Sequence, residues 1–404
     1  MKKVAIRWKT AAALSSLFVV VLAGCNQSSP ASNQAGNQPP PNNPPKQKPA
    51  EPAAPAANGS TNPVTGAEWD KIVELAKKEG EVLIVGQPKS NRETLVKEFE
   101  KKYPGIKVKY TGMRPSEVAP KLLAEQQQGK YLTDILLEGG QNAALSLYPA
   151  GALENFKSFI PLSPEIKDDK NWHNGFETGY KMSGDSGQYT FGVIGHPTIF
   201  INQDVIPEGE LKSFKDLLNP KYKGKIVIND FSAPAQGTTV MAGLYLSEGE
   251  EFINQLMKQD PVIVKDLRQM TQWFATGKHP IGIGMDRTTL TSFRDQGVIK
   301  KVGYLEPEKS TFFHALTIAV LKTPPHPNAT KVFVNWFMSK EGQTDFVKIT
   351  EEYQSRRKDV AENPNPEIRG WNKMEYKTSI LEKQGVDAVN WTTNYGKKIA
   401  KPSN

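Results

Sequence analysis

The first part of the folded chain alternates between short apolar runs and amphipathic stretches. Between two of the runs, Leu95, Val96 and Phe99 recur at helical spacing. A continuous apolar run predicts a strand that is buried on both faces of a parallel sheet. Strand-helix-strand alternation predicts right-handed crossovers and a doubly wound α/β sheet. Such a run lies at residues 82–85, and the next two strands are predicted at residues 106–110 and 135–137.

The alternation pauses over residues 149–188, which we interpret as loops and short helices, and then resumes. Further strands are predicted at residues 189–195, 198–202, 225–228, 281–285 and 316–321. Helices are predicted at residues 236–246, 250–258, 264–276, 329–338, 340–348 and 373–383. The pattern predicts two doubly wound lobes joined by a two-strand hinge, with crossings near residues 200–203 and 307–317. The first lobe comprises residues 66–202 and 309–404, and the second comprises residues 203–308.

The N-terminus has the pattern of an export signal. Four basic residues within the first nine positions precede an apolar stretch, residues 10–23, that is too short to span a bilayer. The stretch ends in Leu-Ala-Gly before Cys25, the single cysteine of the chain, and this sequence resembles the bacterial lipobox. The resemblance implies cleavage after residue 24 and diacylation of Cys25, which would anchor the protein stably to a membrane. The alternative is an ordinary signal peptide with an incidental cysteine.

Composition narrows the function classes. Residues 25–65 are rich in Pro, Asn, Gln, Ala and Ser, which predicts a disordered linker between the lipid anchor and the folded body. Removing the signal removes four basic residues and no acidic ones, so the net charge falls from +8 to +4. Without clustered basic patches, this charge does not indicate a nucleic-acid partner. One cysteine excludes an internal disulfide or a cysteine-ligated metal site, and we expect no cofactor.

Several segments resemble one known family in the same order. Leu95-Val-Lys-Glu-Phe99 followed by Tyr103-Pro-Gly-Ile-Lys-Val108 is similar to the opening of the extracellular solute-binding proteins of ABC importers. Further similar segments lie at residues 200–202, 213–226 and 329–343. The branch that this chain resembles includes ferric-ion binders of the type II periplasmic-binding fold.

The resemblance implies a non-enzymatic, extracytoplasmic monomer that closes its two lobes around a solute and docks on a permease. Ferric binders of this branch present adjacent tyrosines after the second-lobe strand that corresponds to residues 281–285. Here Asp286-Arg287-Thr288-Thr289 follows that strand. Because an arginine repels a trivalent cation and attracts an anion, we expect a small anionic solute, with ferric ion or a ferric chelate as the alternative.

Candidate ligand residues follow the carboxyl ends of the predicted strands, where doubly wound sheets bind their ligands. Arg114 and Arg287 could each grip a phosphate or carboxylate bidentately, although both could equally be solvated loop charges. Glycines after the third strand would let backbone N–H groups approach a ligand. The predicted ligand residues are Lys89, Ser90, Arg114, Glu138, Gly139, Gly140, His196, Asp230, Ser232, Thr238, Thr239, Asp286 and Arg287.

Two other functions remain open. Gly184-Asp-Ser-Gly187 is the tetrapeptide of serine proteases, but their triad is built on β-barrels, and here it lies in a polar turn before a predicted strand. A lipid-anchored hydrolase would need a nucleophile beside a base, and the sequence contains no motif that pairs them. A sensor subunit that presents its ligand to a histidine kinase would use the same fold.

Overall fold

The computed structural model describes residues 66–88, 91–194, 199–233, 235–306, 310–351, 353–365, 368 and 370–399. The predicted signal, Cys25 and the linker lie outside the described residues. The strands are β1 Glu81–Gly86, β2 Lys107–Gly112, β3 Ile135–Leu137, β4 Gln188–Ile194, β5 Ile199–Asn202, β6 Ile226–Asn229, β7 Val262–Val264, β8 Ile281–Ile283, β9 Val302–Leu305, β10 Ser310–Phe313, β11 Ala315–Val320, β12 Tyr353–Ser355 and β13 Met374–Ser379.

Helices connect most of these strands. They are α1 Gly66–Glu79, α2 Asn91–Lys102, α3 Pro115–Gln127, α4 Gly140–Asn142, α5 Phe156–Phe159, α6 Pro164–Lys167, α7 Thr178–Met182, α8 Gln236–Glu248, α9 Glu250–Met257, α10 Leu267–Ala275, α11 Arg287–Asp295, α12 Pro327–Met338, α13 Lys340–Thr350 and α14 Lys383–Ile399. A π-helical turn, Ala143–Leu147, continues α4.

Two sheets share one strand order. The first sheet runs β12-β4-β11-β3-β1-β2, and the second runs β7-β6-β8-β5-β9. In the first, β1 is parallel to β2 and β3, while β11 is antiparallel to β3 and β4. In the second, β6 is parallel to β7 and β8, while β5 is antiparallel to β8 and β9. Each sheet therefore has a parallel trio followed by one reversed strand.

The inner strands of both sheets are covered on both faces, which is why β1, β3, β6 and β8 consist mostly of buried residues. Alternate residues of β1 and its neighbours enter different cores: Ile84 and Leu137 pack with Phe333, whereas Val85 and Leu136 pack with Leu147. The second sheet divides in the same way between two cores. The molecule is thus an α/β protein with two doubly wound sheets.

The first core is built largely from aromatic side chains on facing helices. Phe99 of α2 lies 5.1 Å from Phe333 and 5.4 Å from Trp336 of α12, between ring centroids. The helix α1 packs on α12 as well, and its last residue, Glu79, accepts hydrogen bonds from the backbone N–H groups of Asn328 and Ala329. Glu79 therefore satisfies donors that the first turn of α12 would otherwise leave unpaired.

Parts of the predicted element pattern differ from the structure. The predicted helix at residues 373–383 is wrong, because β13 occupies most of it, pairs with β10 and is followed by α14. The short strands β7, β9 and β12 were not predicted. The domain boundaries remain a prediction, but β5 pairs within the second sheet and α14 packs on α8, whereas the sequence placed both in the first lobe.

The half-buried His173 is expected to make the free energy of unfolding depend on pH. Burial, together with the nearby cations Lys358 and Arg356, lowers the pKa of His173 to about 4. The unfolded chain binds the proton near pH 6.5. Because the folded state resists protonation, the contribution of His173 to stability is present above about pH 6.5 and is lost as the pH falls toward 4.

We therefore expect the urea midpoint of the wild type to fall across this window, and His173→Asn to remove part of the slope. Equal slopes for the two proteins would contradict the assignment.

Candidate functional site

The carboxyl ends of the parallel strands in the first sheet lie along one edge. The strands β1, β2 and β3 end at Gly86, Gly112 and Leu137, and they are parallel neighbours. The loops that begin α2, α3 and α4 therefore project from the same edge. We call this the first carboxyl edge.

The second sheet has an equivalent edge. There β6, β7 and β8 end at Asn229, Val264 and Ile283, and the loops that follow begin α8, α10 and α11. We call this the second carboxyl edge.

Two chain segments join the carboxyl edges to each other. The strand β4 ends at Ile194, and β5 begins at Ile199, which pairs with Ile283 and Leu305 at the second carboxyl edge. Five residue steps span at most about 18 Å, so the two edges adjoin at this crossing. The second crossing runs from the end of β9 through β10 to Ala315, which pairs with Val193 of the first sheet. The topology thus brings the loops that carry the predicted ligand residues to adjoining edges.

Three of the predicted ligand residues, Lys89, Ser90 and His196, lie outside the described residues. At the first carboxyl edge, Arg114 directly precedes Pro115 of α3, and its side chain is exposed and does not cap the helix. Among the described residues, the Arg114 guanidinium has no carboxylate partner. Its charge is therefore available to a ligand.

Glu138 has an internal partner that the sequence did not reveal. Its carboxylate accepts two hydrogen bonds from the Arg92 guanidinium, at 2.7 Å from Nε and 2.6 Å from Nη2, and both side chains are fully buried. Glu138 has a left-handed backbone, with φ 63°. Because the carboxylate is held by Arg92, Glu138 is poorly placed to contact a solute directly.

Arg92 ties several parts of the first carboxyl edge together. Its guanidinium carbon lies 5.7 Å from the ring of Phe346 and 5.4 Å from that of Tyr353. Burial lowers the pKa of Arg92, but the carboxylate of Glu138 more than offsets this and raises the pKa above its ordinary value. The Arg92 guanidinium therefore stays charged, and its two hydrogen bonds to Glu138 fix the first turn of α2 against the segment before α4.

Sequence analysis missed this role of Arg92, although a signal was present. Arg92, Leu95, Val96 and Phe99 follow the i, i+3, i+4, i+7 spacing of one helix face, and all four are buried. A charged residue on an otherwise apolar face needs a buried partner. The pattern therefore indicated an internal ion pair, but it did not identify the carboxylate.

One of the predicted glycines, Gly140, is packed against the C-terminal part of the chain. Gly140 is buried, and a Cβ there would lie 3.1 Å from Leu381 Cδ1 and from Thr317 Oγ1. Its carbonyl accepts a hydrogen bond from Gln188 Nε2 at 3.1 Å. Gly139 is half-buried and precedes α4. The residues after β13 therefore form part of the first carboxyl edge, which the sequence did not predict.

The polar residues after β6 mainly bond to one another. Asp230 accepts from the backbone N–H of Ser232 at 2.9 Å and from its hydroxyl at 3.1 Å. The Thr238 hydroxyl donates to the Ala233 carbonyl at 2.5 Å, and the Thr239 hydroxyl donates to the Ala235 carbonyl at 3.5 Å. These contacts favour a structural role for both threonines.

The start of α8 itself is a second candidate for binding. Ala235 occupies the N-cap position and offers no side-chain acceptor to the first turn. The N–H of Gly237 donates to Asn229 Oδ1 at 2.9 Å, and Gln236 Nε2 donates to the Met285 carbonyl at 2.8 Å. The helix therefore begins, with its partial positive charge, directly at the second carboxyl edge.

Asp286 and Arg287 lie where α11 begins. Asp286 is the N-cap, and its Oδ2 accepts from the backbone N–H and the hydroxyl of Thr289, each at 2.7 Å. Arg287 is half-buried in the first turn. The Asp286 carboxylate thus serves as a helix cap, while Arg287 brings a cation to this edge.

Among the described residues, no group of three His, Cys, Asp or Glu side chains is arranged to hold a metal ion. No helix in the described part of the chain is long and apolar enough to cross a bilayer. Two surface cavities, of about 230 and 260 Å³, are lined by none of the predicted ligand residues.

Two doubly wound sheets, each with a reversed strand next to its parallel trio, and joined by two crossings at their carboxyl edges, define the type II periplasmic-binding fold. Residues 94–375 match the family model of the bacterial extracellular solute-binding proteins. The chain belongs to this family.

Solved structures of similar fold cover most of the chain. Iron-bound HitA from Pseudomonas aeruginosa is 17% identical, with a TM-score of 0.57 over 80% of this chain and 99% of that one. AfuA from Actinobacillus pleuropneumoniae, with exogenous fructose-6-phosphate bound, is 20% identical, with a TM-score of 0.56 and the same coverage. Trichodesmium FutA, in complex with iron and citrate, is 19% identical, with a TM-score of 0.57 over 78% and 99%. At sequence identities of 17–20%, the likeness shows a shared fold alone.

A relative by sequence is an uncharacterized protein of Haemophilus influenzae. It is 26% identical over 136 residues, which span 33% of this chain and 38% of the relative.

Proposed function

We propose that this solute-binding protein captures a small anionic solute between its two carboxyl edges and delivers it to the permease of an ABC importer. The main support for an anionic solute is Arg114, whose guanidinium is exposed at the first carboxyl edge and has no carboxylate partner among the described residues. A free guanidinium binds phosphate or carboxylate bidentately. Arg287 and the start of α8, where Ala235 offers no side-chain cap, supply further positive charge at the second edge.

Capture without chemical conversion fits the polar groups of the site. One histidine-carboxylate pair of the described residues joins His326 Nδ1 to Asp134 Oδ2 at 2.9 Å. It lies beside Glu81, at the opposite end of β1 from the first carboxyl edge. A hydrolase would need such a pair beside a nucleophile at the ligand edge. We therefore propose binding as the role of the site, in line with the match to the solute-binding family.

Ferric ion is the competing solute, since two of the similar structures contain iron by their titles. The chain offers Asp286-Arg287 after β8 instead of paired tyrosines, and burial raises the pKa of Tyr110 at the first edge. A neutral phenol is a poor ligand for Fe³⁺, whereas a guanidinium favours an anion. A sensor subunit would bind the same solute, and the identity of its membrane partner would distinguish the two roles.

The decisive experiment is native mass spectrometry of the full chain as purified, followed by thermal shift with fructose 6-phosphate, citrate, inorganic phosphate and Fe³⁺. We expect a retained or added anion to raise the melting temperature. A visible charge-transfer band with Fe³⁺, without stabilisation by any anion, would overturn the proposal in favour of iron.

Arg114→Ala is expected to weaken binding of the stabilising anion by about ten- to hundredfold, because a charged hydrogen bond is lost. Isothermal titration calorimetry measures the loss. The matched control is Lys97→Ala on the exposed face of α2, which removes the same charge away from the edge. If the two variants bind equally well, Arg114 does not contact the solute.

We also propose that Cys25 carries the lipid anchor and that the protein is held, as a monomer, on the outer side of the cytoplasmic membrane or in the periplasm. Two acyl chains anchor a protein stably, whereas one does so marginally. Intact-mass analysis of the membrane fraction should find a diacylated N-terminus. Cys25→Ser should move the protein to the soluble fraction, and a Cys25→Ser protein that stays membrane-bound would contradict the anchor.

A further inference from the structure

The chain passes between the two sheets a third time, near its C-terminus. After β12 in the first sheet, β13 pairs with β10, which belongs to the second crossing. The chain then turns at residues 380–382, and α14 packs along α8 over the second sheet. At 17 residues, α14 is about 25 Å long.

The turn at residues 380–382 is held by the part of the molecule that contains the first sheet, which we call the first half. Leu381 packs against Gly140, where a Cβ would lie 3.1 Å from Leu381 Cδ1. The Ser379 hydroxyl donates to the Met182 carbonyl, and Ile380 N donates to the Phe313 carbonyl at 2.9 Å. Glu382 closes the turn by accepting from Ser379 N at 2.8 Å.

The other end of α14 is held by the part of the molecule that contains the second sheet, which we call the second half. The rings of Trp391 and Tyr245 are stacked, with centroids 4.1 Å apart. The Tyr395 hydroxyl donates to Asn254 Oδ1 at 2.8 Å. At Gly396, a Cβ would lie 2.7 Å from the Phe231 carbonyl oxygen, so the helix contacts the backbone between Asp230 and Ser232.

We propose that α14 is a strap that limits how far the two halves open, with residues 380–382 as a third hinge. Its two ends are fixed beside Gly140 and Phe231, at the first and the second carboxyl edge. Opening would separate these edges, and a helix of fixed length bounds that separation. Closing requires only a bend at the turn. The inference rests on the proposed function, in that capture occurs by closure of the two halves.

The test measures the distance between the halves without any solute, so that it is independent of the solute's identity. Cysteines replace the exposed Lys97 and Lys258 in the full chain carrying Cys25→Ser, and spin labels on them report the distance distribution. Trp391→Ala removes the stack that holds the strap to α8. We expect the ratio of open to closed populations to rise about two- to tenfold, with a tail at longer distances.

Trp273→Ala is the matched control, because Trp273 lies on α10 of the second half and contacts His279 and Lys278 instead of α14. It should leave the distance distribution at its wild-type width. Should Trp391→Ala fail to fold, Tyr395→Phe removes just the hydrogen bond to Asn254 and should shift the distribution in the same direction. A distribution identical to wild type in a folded Trp391→Ala or Tyr395→Phe protein would overturn the strap.

The outcomes separate this inference from the proposed function. An altered distribution together with no anion binding would support the strap and reject the anionic solute. Anion binding with an unaltered distribution would do the reverse.

Discussion

Arg92→Ala is expected to lower the free energy of unfolding by about 3–5 kcal/mol, because it leaves the Glu138 carboxylate buried without its partner. The two side chains are fully buried and share two hydrogen bonds, so water cannot replace the guanidinium. Urea denaturation followed by tryptophan fluorescence measures the loss. Anion binding, measured on the fraction that remains folded, should fall as well, because the first turn of α2 and the segment before α4 lose the ion pair that joins them.

Two further variants separate the buried charge from a general effect of substitution. Lys77→Ala removes a pair with Glu74 that is exposed on α1, and it should unfold like the wild type. Arg92→Met combined with Glu138→Leu replaces the buried pair by apolar groups and should recover most of the lost stability. If Arg92→Ala unfolds like Lys77→Ala, the ion pair does not hold this edge.

Gly237→Ala is expected to lower the free energy of unfolding by about 1–3 kcal/mol and to abolish binding at the second carboxyl edge. A Cβ at Gly237 would overlap the carbonyl oxygen of Asn229. Gly284 also lies close to Gly237, since a Cβ on Gly284 would lie 2.9 Å from Gly237 Cα. The start of α8 would have to move away from β6 and β8. Urea denaturation and calorimetric titration with the stabilising anion measure the two effects.

The same helix supplies the control. At Gly243 a Cβ would lie 3.3 Å from Phe312 Cδ1, a contact that a small ring movement relieves. Because alanine favours a helix over glycine by up to about 1 kcal/mol, Gly243→Ala should leave stability near the wild-type value. Equal destabilisation by the two substitutions would indicate a general intolerance of α8 and not the close approach at Gly237.

Sequence periodicity predicted those parts of the fold in which local pattern and final packing agree. The strand β1 contains a continuous apolar run, and α2 has a regular amphipathic face, so the identity of both is encoded locally. The strands β7, β9 and β12 have three or four residues, too few for a period to emerge. The tail was misassigned because β13 depends on pairing with β10, a partner about 60 residues earlier.

The candidate site was predictable to the level of loops and not of contacts. The rule that ligands bind at the carboxyl ends of parallel strands located the loops around Arg114, Glu138, Asp230 and Asp286. Whether such a polar side chain faces solute or the protein depends on distant partners. Glu138 meets Arg92, 46 positions earlier, and Gly140 meets Leu381 from the last helical connection. No local pattern encodes such meetings.

The common strand order of the two sheets has an electrostatic consequence. Helices α2, α3, α8, α10 and α11 all begin at a carboxyl edge, and each helix start carries about half a positive charge from its backbone. The backbone therefore contributes positive potential at both carboxyl edges, and the carboxylates of Asp266 and Asp286, which cap α10 and α11, offset part of it. Because one similar structure holds iron and another holds fructose 6-phosphate by their titles, this backbone contribution alone does not select the solute.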